Sequence, residues 1–162
     1  MVNPLETKAA GAERRLQDLG IALPPPPTPF GAYVEAVTTG KLVFFSGMLP
    51  VVDRKPRYIG RVGGALTAED GRKAAETATL SALAAAREYL GSLDRVAKVA
   101  KLGVYIATEG DFRDHPTVAD GASELLLQVF GEDRLSGRVV LGVASLPLGV
   151  PIELELILEV ED

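Results

Sequence analysis

Residues 137–160 run Gly137-Arg-Val-Val-Leu-Gly-Val-Ala-Ser-Leu-Pro-Leu-Gly-Val-Pro-Ile-Glu-Leu-Glu-Leu-Ile-Leu-Glu-Val160. Two apolar, β-branched-rich runs flank Leu146-Pro-Leu-Gly149, whose proline and glycine are turn formers, so the stretch reads as two strands joined by a turn. Folded as a hairpin at that turn, it brings Arg138, at the start of the first run, close to Glu153, near the start of the second. A cation and a carboxylate then share one end of a sheet, either as a working site or as two solvated charges. Alternation through Ile152-Glu-Leu-Glu-Leu156 puts Glu153 and Glu155 on one strand face, where carboxylates are most often simply hydrated.

Upstream, the periodicity alternates between helix and strand. Asp114 and Pro116 open a helix with Val118, Ala122, Leu125, Leu126 and Val129 on one stripe, closed by Gly131. His115, the only histidine, stands at its start, where a cap neighbour is commoner than a catalyst. Val99–Ala107 reads as a strand. Thr67-Ala-Glu-Asp70 caps the longest helix, which runs to Leu90 and Gly91, with Ala75, Ala82, Leu83, Ala86 and Leu90 on one face. Residues 51–66 form a loop with a short strand near Tyr58. Its Gly60-Arg-Val-Gly-Gly64 lacks the spacing of a phosphate cradle. Tyr33–Val37 and Lys41–Ser46 read as a strand pair turning at Thr38-Thr-Gly40. Gly47, just beyond, is either loop punctuation or a place where a ligand can approach the backbone.

The amino-terminal 30 residues differ in character. Residues 3–19 form an amphipathic helix with Pro4 in its first turn and Leu5, Ala9, Ala12, Leu16 and Leu19 in register. The Pro24-Pro-Pro-Pro27-Thr-Pro29 run after it is an extended spacer. The division is therefore 1–30, helix and proline-rich linker, and 31–162, the main domain. The order strand, strand, helix, strand, helix, strand, strand makes an α+β sandwich: one mixed sheet with two helices on one face. Strands apolar on both faces, such as Val139-Val-Leu-Gly-Val143, leave the other face to be covered by a second subunit.

Composition excludes several classes of function. With 162 residues, 47% of them hydrophobic, one core suffices. A formal net charge of −5 with 17 scattered basic residues provides no field for nucleic acid. The absence of cysteine removes disulfides, thiol nucleophiles and thiolate metal sites, and with one histidine no metal site is expected. No stretch approaches the roughly 20 apolar residues a bilayer requires, and the first residues do not read as a signal peptide. No membrane partner and a cytoplasmic location are the expectations.

The motifs Tyr33-Val34, Phe45-Ser-Gly-Met-Leu-Pro50 and Arg138…Ala144-Ser-Leu-Pro147…Ile152-Glu-Leu-Glu155, in this order, resemble the RidA/YjgF/UK114 family of reactive-intermediate (enamine/imine) deaminases over residues 28–160. Asp120-Gly-Ala-Ser-Glu-Leu-Leu126 and Val129-Phe-Gly-Glu132 resemble a less studied branch that also has an amino-terminal helix. The resemblance implies a chorismate-mutase-like fold assembled as a homotrimer, with ligand clefts between subunits and no cofactor. It implies that Arg138 grips a ligand carboxylate, that Glu153 positions or activates water, and that Tyr33 and the backbone at Gly47 and Val140 line the cleft. The implied reaction converts 2-imino or enamino acids to 2-keto acids and ammonia.

The residue types suit that chemistry. A guanidinium grips a carboxylate through two parallel bonds, and a carboxylate can orient water and accept its proton without metal or cofactor. Ser136-Gly137 before the arginine, Val139 and Val140 after it, and Asp120 at the second helix depart from the family pattern. A charged Asp120 facing the cleft disfavours an anionic ligand. The alternative is a noncatalytic trimer that holds a small carboxylate metabolite through Arg138. The family also carries an endoribonuclease (L-PSP) label, but acidity and 6% aromatic content argue against an RNA groove.

Overall fold

The structure is a computed structural model that describes residues 10–162. The expectations for Pro4, Leu5 and Ala9 lie outside the described residues. In chain order the elements are α1 (Ala12–Asp18), β1 (Ala36–Thr39), β2 (Leu42–Phe45), β3 (Val51–Val52), β4 (Lys55–Pro56), α2 (Ala68–Leu90), β5 (Val96–Ala107), α3 (His115–Phe130), β6 (Gly137–Val143) and β7 (Ile152–Val160). The main sheet has the order β1-β2-β7-β5-β6, with β5 and β6 parallel and the other pairs antiparallel. β3 and β4 form a separate two-stranded ribbon, and the short strand expected near Tyr58 is β4, which ends at Pro56.

The expected sandwich is present, but the expected hairpin is not. β6 and β7 are not neighbours, because β5 lies between them, parallel to β6 and antiparallel to β7. Two strands joined by a short turn usually pair, yet β5 is twelve residues long and its inward residues are buried, so pairing it on both edges satisfies more backbone and covers more apolar surface. The crossover from β5 to β6 through α3 is the ordinary way to make a parallel neighbour. The chain then turns at Pro147–Gly149 and returns on the far side of β5.

Both long helices cover one face of the sheet. α2 starts in a capping box, Thr67 and Asp70 exchanging side-chain and backbone bonds, and ends at Gly91 in the left-handed conformation (φ 82°). Its buried alanines, from Ala74 to Ala86, let its axis lie close over Leu154, Leu156 and Leu158 of β7. α3 packs beside it through Gly121, where an added Cβ would meet the backbone carbonyl of Arg72. We predict that Gly121→Ala destabilises the protein by about 2 kcal/mol, because overpacking against unyielding backbone outweighs the roughly 1 kcal/mol gained in helix propensity. A fall of about 4–8 °C in thermal midpoint is the expected reading, and an unchanged midpoint would show that the helices part freely.

α1 docks on the outer side of this layer. Ala12 and Leu16 are buried; Glu13 accepts bonds from Arg87 Nη2 (2.7 Å) and the Leu93 amide (3.0 Å), while Asp94 Oδ1 accepts from the Glu13 amide (3.0 Å). From there the proline run crosses to the other end of the sheet, where Pro27, Thr28 and Phe30 form part of a cavity wall.

Among the described residues, no helix lies over the second sheet face. Val37, Phe44, Val139 and Leu141 lie on it, each at least 40% exposed.

Candidate functional site

Register separates Arg138 from Glu153. Arg138 is opposite Leu102 on β5 and Glu153 is opposite Tyr105. They are therefore two strand spacings apart, about 9.6 Å, and three residues apart along β5, about 10 Å. Three is odd, so the side chains leave opposite faces of the sheet. Arg138 shares the helix side with Leu102 and reaches α3, whereas Glu153 shares the uncovered side with Tyr105. Within one copy the pair does not meet, and the expectation that the final strands bring them together is corrected by the insertion of β5.

Each residue instead belongs to its own group. Nη1 of Arg138 donates to Asp120 Oδ1 (2.7 Å) and Ser123 Oγ (3.1 Å), both on α3. Among the described residues its Nη2 and Nε have no partner, so one edge of the guanidinium is open. Arg138 and Ser123 line a cavity of about 200 Å³ with Leu126, Arg134 and Ser136. Val140 lies two residues on along β6, half-buried against the core on the same side as Arg138. Asp120 thus faces Arg138 directly and offsets part of its charge.

Glu153, Gly47 and Tyr33 line a second cavity of about 430 Å³ beside the start of β7. The isolated bridge between Met48 and Leu154, with bonds of 2.9 and 2.8 Å, holds the end of β2 against β7. This brings the Glu153 carboxylate against Gly47, where any Cβ would collide with its Oε1. Glycine here is a requirement of that contact. No acceptor is found for the Gly47 amide among the described residues. Tyr33 precedes β1 rather than starting it, is 47% exposed, and accepts a hydrogen bond at its hydroxyl from the Phe30 amide (3.0 Å).

Glu153 and Glu155 of β7 share a strand face but not an environment. Glu155 accepts from Tyr105 (2.6 Å) and Lys101 (3.1 Å), and these bonds, the tyrosine's first, hold its carboxyl below the usual range. Glu153 has no hydrogen-bond partner among the described residues, and burial pushes its carboxyl up. Glu155 is a satisfied surface ion, whereas Glu153 is a half-buried carboxyl whose proton affinity is raised by desolvation. His115 packs edge to face on Phe112 (5.1 Å) and lines neither cavity.

Glu35 is a site residue that sequence spacing alone does not single out. It lines the larger cavity, its carboxyl is raised by burial, and its Oε2 is buried with no hydrogen-bond partner among the described residues. The signal for it was a carboxylate two residues after Tyr33, on the same face of an otherwise apolar strand approach. Among the described residues there is no group of acidic or histidine side chains arranged for a metal ion and no helix long and apolar enough to cross a membrane.

Comparison with known proteins agrees with this architecture. Residues 13–159 match the family described as "YjgF/chorismate mutase-like, putative endoribonuclease". The chain is 38% identical over 148 residues to Protein TCP17 of Trypanosoma cruzi, spanning 91% of this chain and 92% of that protein. A crystal structure from Shewanella oneidensis given the same endoribonuclease label superposes with a TM-score of 0.89 at 30% identity, covering 93% of this chain and all of that one. A protein of unknown function from Agrobacterium tumefaciens superposes with a TM-score of 0.85 at 32% identity, covering 93% of this chain and 92% of that one. The match over nearly the whole chain, together with the mixed sheet and its two covering helices, establishes that this chain belongs to the YjgF/RidA family.

Proposed function

We propose that this protein hydrolyses reactive 2-imino and enamino acids to 2-keto acids and ammonia, in a cleft between neighbouring copies of a homotrimer. The observation that carries the reading is the Glu153 carboxylate, half-buried, unpartnered among the described residues and set against the bare backbone of Gly47 at a cavity wall. The uncovered apolar sheet face supports the assembly. In it, one copy contributes Glu153, Gly47 and Tyr33, and its neighbour contributes Arg138, Asp120 and the edge strand at Val140.

The reaction balances without a cofactor. An iminium acid, R–C(=NH2+)–COO−, places its carboxylate on the open edge of Arg138. Glu153 orients water and takes its proton as the oxygen bonds to the iminium carbon. The proton then passes to nitrogen, Glu153 takes the remaining hydroxyl proton as the carbonyl forms and the C–N bond breaks, and ammonia leaves. A carboxyl raised by burial takes and returns a proton more readily near neutral pH than a hydrated one. Tyr33 closes the side of the cavity, and the Gly47 amide can donate to the developing oxygen. Asp120 lowers the attraction of Arg138 for an anion, so substrate binding is weak compared with that at a lone arginine.

Release of ammonia and 2-keto acid from freshly generated 2-imino acids tests this. The wild type should exceed the rate in buffer, and Arg138→Gln should lower kcat/KM by at least about 30-fold, the equivalent of about 2 kcal/mol for a lost charge-assisted grip. Release no faster than buffer would sink the enzyme reading. If calorimetry then showed 2-keto acid binding that vanished in Arg138→Gln, the noncatalytic carboxylate-binding trimer would replace it.

A further inference from the structure

The larger cavity has a chemical bias that hydrolysis alone does not require. Its walls are aromatic and aliphatic, with Phe30, Tyr33, Leu49 and Leu148 among them, and the side chains in it that carry charge are Glu35 and Glu153. Within one copy, no lysine, arginine or histidine among the described residues lines it. Arg54 sits 5.0 Å over the Phe30 ring but opens onto a neighbouring cavity.

Glu35 is held there by its own backbone. The Ser46 amide donates to the Glu35 carbonyl (2.9 Å), and Ser46 Oγ donates to the Val34 carbonyl (2.6 Å), which leaves the Glu35 side chain no role in the sheet ladder. Its Oε2 is nevertheless buried and unpartnered. A buried acceptor without a donor is costly, and a carboxylate more so, unless a cation or N–H group satisfies it. Nothing among the described residues does.

We propose that this cavity receives a cationic group on an apolar stem, with Glu35 as its counterion. Resting on the deaminase reading above, this assigns the preferred substrate class: 2-imino acids whose side chain ends in an ammonium or guanidinium group. The carboxylate end goes to the neighbour's arginine, the iminium carbon to Glu153, the aliphatic stem to Leu49 and Leu148, and the distal cation to Glu35. Tyr33 adds attraction for a cation over its ring. Phe30 comes from the segment behind the proline run, so the amino-terminal extension builds part of the specificity wall. A volume of about 430 Å³ lies within the range of small-molecule sites.

Calorimetry on the full chain with n-pentylammonium chloride, and with n-pentanol as the uncharged probe of equal stem, tests this without any turnover. The wild type should bind the ammonium at least tenfold more tightly than the alcohol. Glu35→Gln, of nearly the same shape, should lose at least tenfold for the ammonium and leave the alcohol unchanged. If Glu35→Gln fails to fold, the ammonium preference of Glu153→Gln decides: kept, it leaves Glu35 as the counterion, and lost, it overturns the proposal. Equal affinity for the two probes, binding of neither, or a loss confined to Glu153→Gln would overturn the proposal. A protein that binds pentylammonium through Glu35 but releases no ammonia from imino acids would overturn only the deaminase reading.

Discussion

Glu153→Gln is expected to lower kcat for imine hydrolysis by about 100-fold or more while making the folded protein more stable at neutral pH. The loss follows from removing the group that accepts the proton of the attacking water, a contribution commonly worth 10²–10⁴-fold. Glutamine keeps the shape of the side chain against Gly47, so substrate affinity should change much less than kcat. The stability gain has a sign fixed by the raised carboxyl. A carboxyl whose folded pKa lies above its unfolded value of about 4.5 stabilises the fold in its protonated form. That contribution is complete below the unfolded pKa and is lost as pH rises through the folded value. Glutamine never ionises, so the variant overtakes the wild type as pH climbs toward 7 and the difference closes on acidification toward pH 4. Thermal melts across that range check it. A variant less stable than wild type at pH 7 would mean that the carboxylate has a stabilising partner.

The second large effect is complementation between two inactive chains. In the proposed trimer each cleft takes Glu153 from one copy and Arg138 from the next, because the register along β5 keeps the two residues of a single copy on opposite faces. Glu153→Gln and Arg138→Gln chains, each nearly inactive, should therefore regain activity when co-folded in equal amounts. With random assortment a cleft is intact when the copy supplying the carboxylate and the copy supplying the guanidinium are each of the right type. Each condition holds about half the time, so about a quarter of wild-type activity returns. Recovery to that level, from parents each down by 30-fold or more, is easily read. A mixture no more active than the average of its parents would show that both residues act from one chain, which the register does not allow without rearranging the sheet, or that no such cleft forms.

Much of the architecture was legible because it depends on local chemistry. The Thr67–Asp70 capping box, the left-handed Gly91 and the alanine face between them announce α2 without reference to the rest of the chain. The same holds for the α3 stripe and for the polar turn between β1 and β2, although that turn centres on Gly40 and Lys41 and the strands are shorter than their propensities suggest. Strand partners were not legible in this way. The turn at Pro147–Gly149 is short enough for a hairpin, and only the competition of β5 for both edges prevents one.

By itself, then, the sequence determined the order of elements, the apolar faces and the residue types that can carry out imine chemistry: a guanidinium at 138 and a carboxylate at 153. These follow from periodicity, capping and side-chain chemistry, all local in the chain. The tertiary structure decided which charges are satisfied. It paired Arg138 with Asp120, gave Glu155 two partners and Glu153 none among the described residues, and buried an oxygen of Glu35 at the wall of the cavity that Glu153 lines. Glu153 and Glu155 have the same chemistry and lie on the same strand face. Their difference arises from the partners that long-range packing sets beside them, because a carboxylate's proton affinity depends on its solvation and neighbours, which spacing along the chain does not specify.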